Sequence, residues 1–211
     1  MIVFIMLFCF SSTYAGGSSL ARLAELAKER YGDDAYQTVL ALDETISSIR
    51  NGSELDKLKV VNEFFNRNID FVNDYYIYKQ ADYWATPLET MGARAGDCED
   101  FSIAKYTFLK MLNIDNNKLR LTYVRAKLSD GSVQAHMVLT YYPTAYADPL
   151  VLDNLKPQIM PASQRPDLSP IFSFNDQGLW VGGASQPKAG SQQHLSKWRD
   201  VLTRIHADGL E

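Results

Sequence analysis

Cysteine is the scarcest reactive residue in this sequence. The 211 residues include two cysteines, Cys9 and Cys98. Cys9 lies in an apolar N-terminal segment, residues 2–10. After this segment, small residues occupy positions −3 and −1 relative to a possible cut after Ala15. This arrangement is typical of a cleaved export signal, so we expect residues 1–15 to be a signal peptide. The mature chain, 16–211, would keep one thiol, which has no partner for an internal disulfide and is therefore a candidate reactive group.

Basic clusters and further long apolar runs are also absent. The net charge is −4 at pH 7, and no group of Lys and Arg residues forms a patch, which argues against a nucleic-acid partner. Beyond the N-terminal segment, no apolar run is long enough to span a bilayer as a helix. The composition, 46% hydrophobic and 22% charged, is that of a globular domain.

Helical periodicity dominates the first part of the mature chain, about 16–66. Helices are predicted over 18–31 and 34–50, and a third begins at Ser53. The aromatic segment 66–91 follows neither a helical nor a strand period, so we interpret it as an ordered loop with short elements.

The centre of the chain begins with a helix and continues with strands. Asp97 opens a helix whose apolar stripe comprises Phe101, Ala104, Phe108, Leu109 and Leu112. The segments 119–127 and 133–142 are rich in β-forming residues and flank Ser129-Asp130-Gly131-Ser132, which predicts a hairpin. A third short strand is predicted at 150–153.

The last part of the chain predicts a loop, a second hairpin and a helix. Segment 155–170 is rich in proline, and we expect a surface loop there. A hairpin is predicted from 171–174 and 179–181, and a terminal helix over about 191–207. Helices first and antiparallel strands later predict an α+β domain, with its core at about 67–185.

Cys98 occupies the first turn of the predicted central helix. The unpaired N–H groups and the dipole at a helix start favour an anion there, which is one way to lower the pKa of a thiol. A cysteine nucleophile needs a base within hydrogen-bond reach. Of the three histidines, His136 lies in the middle of a strand, whereas His194 and His206 belong to the polar part of the terminal helix.

Asp153 lies at the end of an apolar run in the next predicted strand. A buried carboxylate is costly unless it is paired, and an imidazole N–H is a natural partner. The residues therefore predict a triad in which Cys98 attacks, His136 moves the proton and Asp153 orients the imidazole. Each residue also has a structural interpretation. Cys98 would be a small buried side chain, His136 would make a structural hydrogen bond in its strand, and Asp153 would belong to a turn. An acyl transferase using the same triad, and a binding module with an inert thiol, remain alternatives.

Acidic residues surround the candidate nucleophile. Asp97, Glu99 and Asp100 carry like charges that raise the pKa of a neighbouring thiol. One interpretation is helix capping, with Asp97 as the N-cap and Asp100 reaching back to it. The other is a bound Ca²⁺, which prefers oxygen ligands and would offset the negative charge. Upstream, Trp84 is a candidate donor to an oxyanion at Cys98, or a packing residue.

Four segments together resemble the bacterial transglutaminase-like cysteine proteinase family. They are Asp82–Glu89, Gly96–Phe101, Ala135–Leu139 and Leu152–Asn154. The resemblance implies a papain-like, transglutaminase-core fold, in which the catalytic cysteine begins a central helix packed on an antiparallel sheet. It also implies proteolysis rather than cross-linking, and a periplasmic location.

The resemblance further implies a metal, a substrate and a partner. Calcium would bind at Asp97, Glu99 and Asp100. The substrate would be a large surface adhesin, cut near its N-terminus at a dialanine-containing site, which frees the cell from a biofilm. An inner-membrane receptor that responds to cyclic-di-GMP would sequester the enzyme.

Overall fold

A computed structural model of the protein describes residues 15–181 and 192–210. The predicted signal peptide lies outside these residues, apart from Ala15, where the first helix begins. In the described part of the chain the helices are α1 (Ala15–Tyr31), α2 (Asp33–Ile49), α3 (Glu54–Asn68), α4 (Asp74–Tyr78), α5 (Pro87–Ala93), α6 (Cys98–Met111) and α7 (Gln192–Ala207). The division into a helical lobe, a core and a terminal helix stays a prediction.

The N-terminal helices begin and end close to where the periodicity places them. The start of α3 is fixed by a capping box, in which the Ser53 hydroxyl accepts the Asp56 N–H at 3.2 Å and the Asp56 carboxylate accepts the Ser53 N–H at 3.3 Å. Segment 66–91 holds strand β1 (Asp70–Phe71), the short helix α4 and most of the short helix α5. The prediction of short elements in this segment is therefore confirmed.

The strands form a small parallel pair and a larger antiparallel sheet. The pair joins β1 to β2 (Ala95–Gly96), directly before α6. The sheet has the order β6-β5-β4-β3-β7-β8. Its strands are β3 (Leu119–Lys127), β4 (Val133–Tyr141), β5 (Leu150–Leu152), β6 (Met160–Pro161), β7 (Leu168–Phe174) and β8 (Leu179–Val181). The predicted α+β fold, including both hairpins, is confirmed.

The prediction of a surface loop over 155–170 is wrong about the loop, although most of the segment is at least partly exposed, as predicted. This segment contains β6, a 3₁₀ turn at Ala162–Gln164 and the first residues of β7. Arg165, within it, is buried. Charged side chains are seldom buried unless they are paired, and Arg165 is paired with two carboxylates, which the sequence alone does not reveal.

Helix α6 is the centre of the main core. All five residues of its predicted apolar stripe are buried, between the sheet on one side and α3 and α5 on another. Trp198 of α7 closes the core by packing edge-on against Tyr106 and Phe174. On the other face of the sheet lies a smaller cluster formed by Val124, Val138 and Val151. None of the helices in the described ranges is long and apolar enough to cross a membrane.

Candidate active site

The start of α6 places Cys98 against the edge of β4. Strand β5 pairs with β4 along Leu139–Tyr141, and α6 contacts the part of β4 that precedes this pairing, at Met137. The Ser102 hydroxyl donates to the Cys98 carbonyl at 2.8 Å and to the Met137 carbonyl at 3.2 Å. The half-buried thiol therefore lies beside the residue that follows His136 in the chain.

His136 and Asp153 form a buried pair. The distance from His136 Nε2 to Asp153 Oδ1 is 2.8 Å, and the two side chains are 1% and 0% exposed. His136 lies on β4 and Asp153 directly follows β5, and these two strands are neighbours, as the sequence predicts. Burial alone would raise the pKa of Asp153, but hydrogen bonds from His136 and Arg165 outweigh it and leave the pKa below its usual value. Asp153 is therefore an anion that can accept the imidazole N–H.

Arg165 is a site residue that the sequence analysis missed. Its Nη2 donates to Asp153 Oδ2 at 2.7 Å, on the oxygen that does not contact His136. Its Nε and Nη2 also donate to Asp167 at 2.9–3.2 Å. The only sequence signal for this arrangement is an acidic residue two positions after an arginine, in a segment whose prolines favour a loop.

A second missed residue, Lys105, approaches Asp153 from α6. It is almost fully buried, and its ammonium donates to Asn66 Oδ1 at 2.7 Å. The Asn66 amide in turn donates to the backbone carbonyl of Asp153 at 2.8 Å. Burial lowers the pKa of Lys105 to about 7, although the charge of Asp153 opposes that change.

The acidic cluster beside Cys98 is larger than the sequence predicts. Asp97 and Glu99 are nearly buried, and the structure adds Asp74 and Asp82 from the preceding segment. Ligand atoms of Asp74, Asp82 and Glu99 lie within 4.8 Å of one another, as do those of Asp74, Asp97 and Asp100. No short spacing joins Asp74 to the cysteine motif, so only the fold brings it there.

Burial and mutual repulsion disfavour the charged forms of Asp74 and Asp97. Burial raises the pKa of Asp74 to about 6, with further repulsion from Glu99 and Asp82. Burial and then Glu99 raise the pKa of Asp97 far above its usual value. One oxygen of Asp74 and one of Asp97 are buried with no hydrogen-bond partner. Buried unpartnered carboxylate oxygens are the donor set that suits a hard cation such as Ca²⁺.

The same environment acts on the thiol. Cys98 donates to Glu99 Oε2 at 3.0 Å. Burial, followed by the charge of Glu99, raises the pKa of Cys98 well above its usual value, while the Met137 backbone hydrogen bond lowers it. The expected lowering of this pKa by the helix start is therefore outweighed by burial and by the neighbouring carboxylates. The catalytic roles of Cys98, His136 and Asp153 stay predictions.

Asp100 performs the structural role that the capping interpretation gives it. Its Oδ2 accepts the Asp97 N–H at 3.2 Å, and its Oδ1 accepts the Ala85 N–H at 2.8 Å. A Cβ on Gly96 would lie 2.8 Å from both Cβ and Oδ2 of Asp100. Glycine at position 96 therefore allows Asp100 to sit beneath the turn that leads into α6, and a calcium contact by Asp100 stays a prediction.

Trp84 packs within the aromatic part of the core. Its ring is 5.8 Å from that of Phe174 and nearly parallel to it. Its indole N–H donates to Asp82 Oδ1 at 3.1 Å. The packing role is therefore observed, and the oxyanion role stays a prediction that would require this hydrogen bond to change.

Comparison with known proteins decides the family. The family model for bacterial transglutaminase-like cysteine proteinases matches residues 36–181. The chain belongs to this family. A search of curated proteins gave no match.

Three solved structures of Legionella pneumophila LapG are similar to this chain over most of its length. Legionella pneumophila LapG is 36% identical, and the match covers 88% of this chain and 97% of LapG, with a TM-score of 0.74. Calcium-bound LapG is 37% identical, and the match covers 88% of this chain and 98% of LapG, with a TM-score of 0.74. EGTA-treated LapG is 37% identical, and the match covers 88% of this chain and 97% of LapG, with a TM-score of 0.76. This chain is therefore a LapG-like cysteine proteinase.

Proposed function

We propose that this protein is a calcium-dependent endopeptidase in which Cys98, His136 and Asp153 form the catalytic triad. The observation that carries the proposal is the buried His136–Asp153 hydrogen bond beside the helix start that bears the thiol. Membership of a cysteine proteinase family supports hydrolysis over amine transfer. It also disfavours a binding module with an inert thiol.

The pair assigns a role to each imidazole nitrogen. Ionised Asp153 accepts the Nε2–H of His136, which leaves Nδ1 to take the proton of the thiol. The thiolate then attacks the peptide carbonyl, and the imidazolium returns the proton to the leaving amine. Water, activated by the same imidazole, hydrolyses the resulting thioester and frees Cys98.

Calcium is proposed to bind in the acidic cluster next to the thiol. Asp74, Asp97 and Glu99 would hold it, and Asp82 and Asp100 lie close enough to contribute. The bound ion would supply positive charge that offsets the carboxylates around the site of thiolate formation. Support comes from the unpartnered oxygens of Asp74 and Asp97, and from the calcium-bound structure of LapG.

The substrate, location and regulation are proposed from the family resemblance. The enzyme would act in the periplasm on the N-terminal region of a large surface adhesin, at a dialanine-containing site, and so release cells from a biofilm. A cyclic-di-GMP-responsive receptor in the inner membrane would sequester it. The similarity to LapG over most of both chains supports this more specific proposal.

The test is cleavage of a recombinant adhesin N-terminal fragment that contains a dialanine, followed by mass spectrometry. With calcium present, the wild-type protein should cut it once, and folded Cys98→Ala should leave it intact. Lys110→Gln, on the same helix, is the matched control and should cut normally. Cleavage by Cys98→Ala would exclude the triad. Incorporation of a labelled amine into a glutamine donor would instead favour the acyl transferase.

A further inference from the structure

Arg165 holds the oxygen of Asp153 that faces away from His136. Its side chain is 1% exposed, and that of Asp153 is fully buried. The other oxygen of Asp153 accepts both His136 Nε2, at 2.8 Å, and the Leu155 backbone N–H, at 3.0 Å. Because both oxygens are bound, the carboxylate has one orientation available to it, which is the orientation that contacts the imidazole.

Arg165 is itself held in place by Asp167. The Nε and Nη2 donors of Arg165 contact both oxygens of Asp167, which is the two-pronged geometry that makes arginine–carboxylate pairs rigid. Asp167 is also paired with Lys156 at 3.1 Å. The interactions form a chain that leads from a partly exposed ion pair, through Arg165, to the buried Asp153 and His136.

The charges around Asp153 come from several elements. His136 faces it from β4, Arg165 from the segment before β7, and Lys105 from α6. Of these three, Arg165 and His136 donate hydrogen bonds directly to the carboxylate. Arg165 keeps its charge when His136 gives up a proton, so it is the constant positive neighbour of Asp153 during turnover.

We propose that Arg165 is a positioning residue, which keeps Asp153 ionised and turned toward His136, and that Asp167 fixes Arg165 for this task. The proposal rests on the proposed triad and extends it outward to Arg165 and Asp167. A purely structural role would be to tie segment 155–168 to the sheet. The two roles differ in whether the imidazole of His136 changes when Arg165 is replaced.

The chain offers a matched control for the loss of a buried arginine. Arg120 of β3 is also buried, and its guanidinium is stacked 4.1 Å from the ring centres of Tyr142 and Trp180. Replacing Arg120 also removes a buried cation, but it removes no hydrogen bond to Asp153. Arg120→Gln therefore reports the cost to stability alone.

The direct test is NMR of the full chain with ¹⁵N-labelled histidine at fixed calcium. In the wild type, the Nε2–H proton of His136 should resonate far downfield, because it is buried and bonded to a carboxylate. Arg165→Gln should shift it upfield or broaden it by exchange, Arg165→Lys should shift it less, and Arg120→Gln should leave it unchanged. A wild-type signal in Arg165→Gln would overturn the proposal.

A second variant covers the case in which Arg165→Gln does not fold. Asp167→Asn keeps Arg165 but weakens the contacts that orient it, at a side chain that is 19% exposed. It should move the His136 signal in the same direction by a smaller amount. If Asp167→Asn folds and the His136 signal stays at its wild-type position, the proposal is wrong.

Kinetics on the adhesin fragment separate this inference from the triad itself. Arg165→Gln should lower kcat about tenfold to a hundredfold, because a misplaced catalytic group costs that much. KM should stay within about twofold, and the acid limb of the pH profile should move to higher pH as the pKa of Asp153 rises. Wild-type kcat and pH profile in Arg165→Gln, with Cys98→Ala inactive, would refute only the role of Arg165. Activity in Cys98→Ala would refute the triad.

Discussion

The thiol of Cys98 donates a hydrogen bond to Glu99 Oε2 at 3.0 Å, so the proposed nucleophile contacts a carboxylate of the acidic cluster. A negative charge at this distance opposes formation of a thiolate. The same carboxylate is one of the groups positioned to bind a cation. This relationship links the proposed calcium requirement to the reactivity of the sulfur.

Calcium should therefore bind the wild-type protein and stabilise it. At a calcium concentration 100 times the dissociation constant, the free energy of unfolding should rise by about 2.7 kcal/mol. Asp74→Asn should weaken calcium binding at least about tenfold, because it removes one charged ligand. Titration calorimetry measures both proteins, with the exposed Asp33→Asn as control. Equal affinity in Asp74→Asn and the wild type would remove Asp74 from the site.

Lys105 should make stability depend on pH above neutrality. The buried amine has a pKa of about 7 in the folded protein, against an ordinary value of 10.5, so unfolding takes up a proton between these values. The wild type should gain stability relative to Lys105→Met as the pH rises from about 7 to about 10, by up to about 1.4 kcal/mol per pH unit. Urea denaturation measures the difference, with Lys110→Met as control. Parallel pH curves for the wild type and Lys105→Met would contradict this.

Gly96→Ala should disturb both stability and calcium binding. The added Cβ would lie 2.8 Å from Oδ2 of Asp100 and would displace the carboxylate that caps α6. Overpacking of this kind costs about 1–3 kcal/mol, measurable by urea denaturation. Gly131→Ala is the control, since its added Cβ meets nothing within 4 Å and its cost comes only from the positive φ of 84°. Calcium affinity that is equal in the two variants would show that Asp100 does not support the cluster.

The sequence predicts the parts of the fold and site that depend on local pattern. The periodicity of α6, the turn between β3 and β4, and the isolated His136 and Asp153 in apolar strands are all local signals. They predict that the imidazole and the carboxylate lie on neighbouring strands. In the structure His136 lies on β4, and Asp153 directly follows the neighbouring strand β5. The capping interpretation of Asp100 is likewise visible from its spacing to Asp97.

The residues that the sequence does not reveal are those that tertiary contact alone brings to the site. Asp74 lies in an aromatic segment far from Cys98 in the chain and reaches the cluster because β1 pairs with β2. Arg165 lies in a proline-rich segment that predicts exposure. Lys105 is a lysine in a helix, where its charge predicts that it faces solvent. Each is buried by partners distant in sequence, which no spacing rule detects.

The rate at which iodoacetamide modifies Cys98 tests the central claim most directly. At pH 7 with calcium, peptide mapping by mass spectrometry should find Cys98 modified about tenfold faster in the wild type than in His136→Ala, because the imidazole accepts the thiol proton. Each protein in denaturant gives the reference rate. Equal rates in folded wild type and His136→Ala would show that His136 does not activate the sulfur, and would contradict the account.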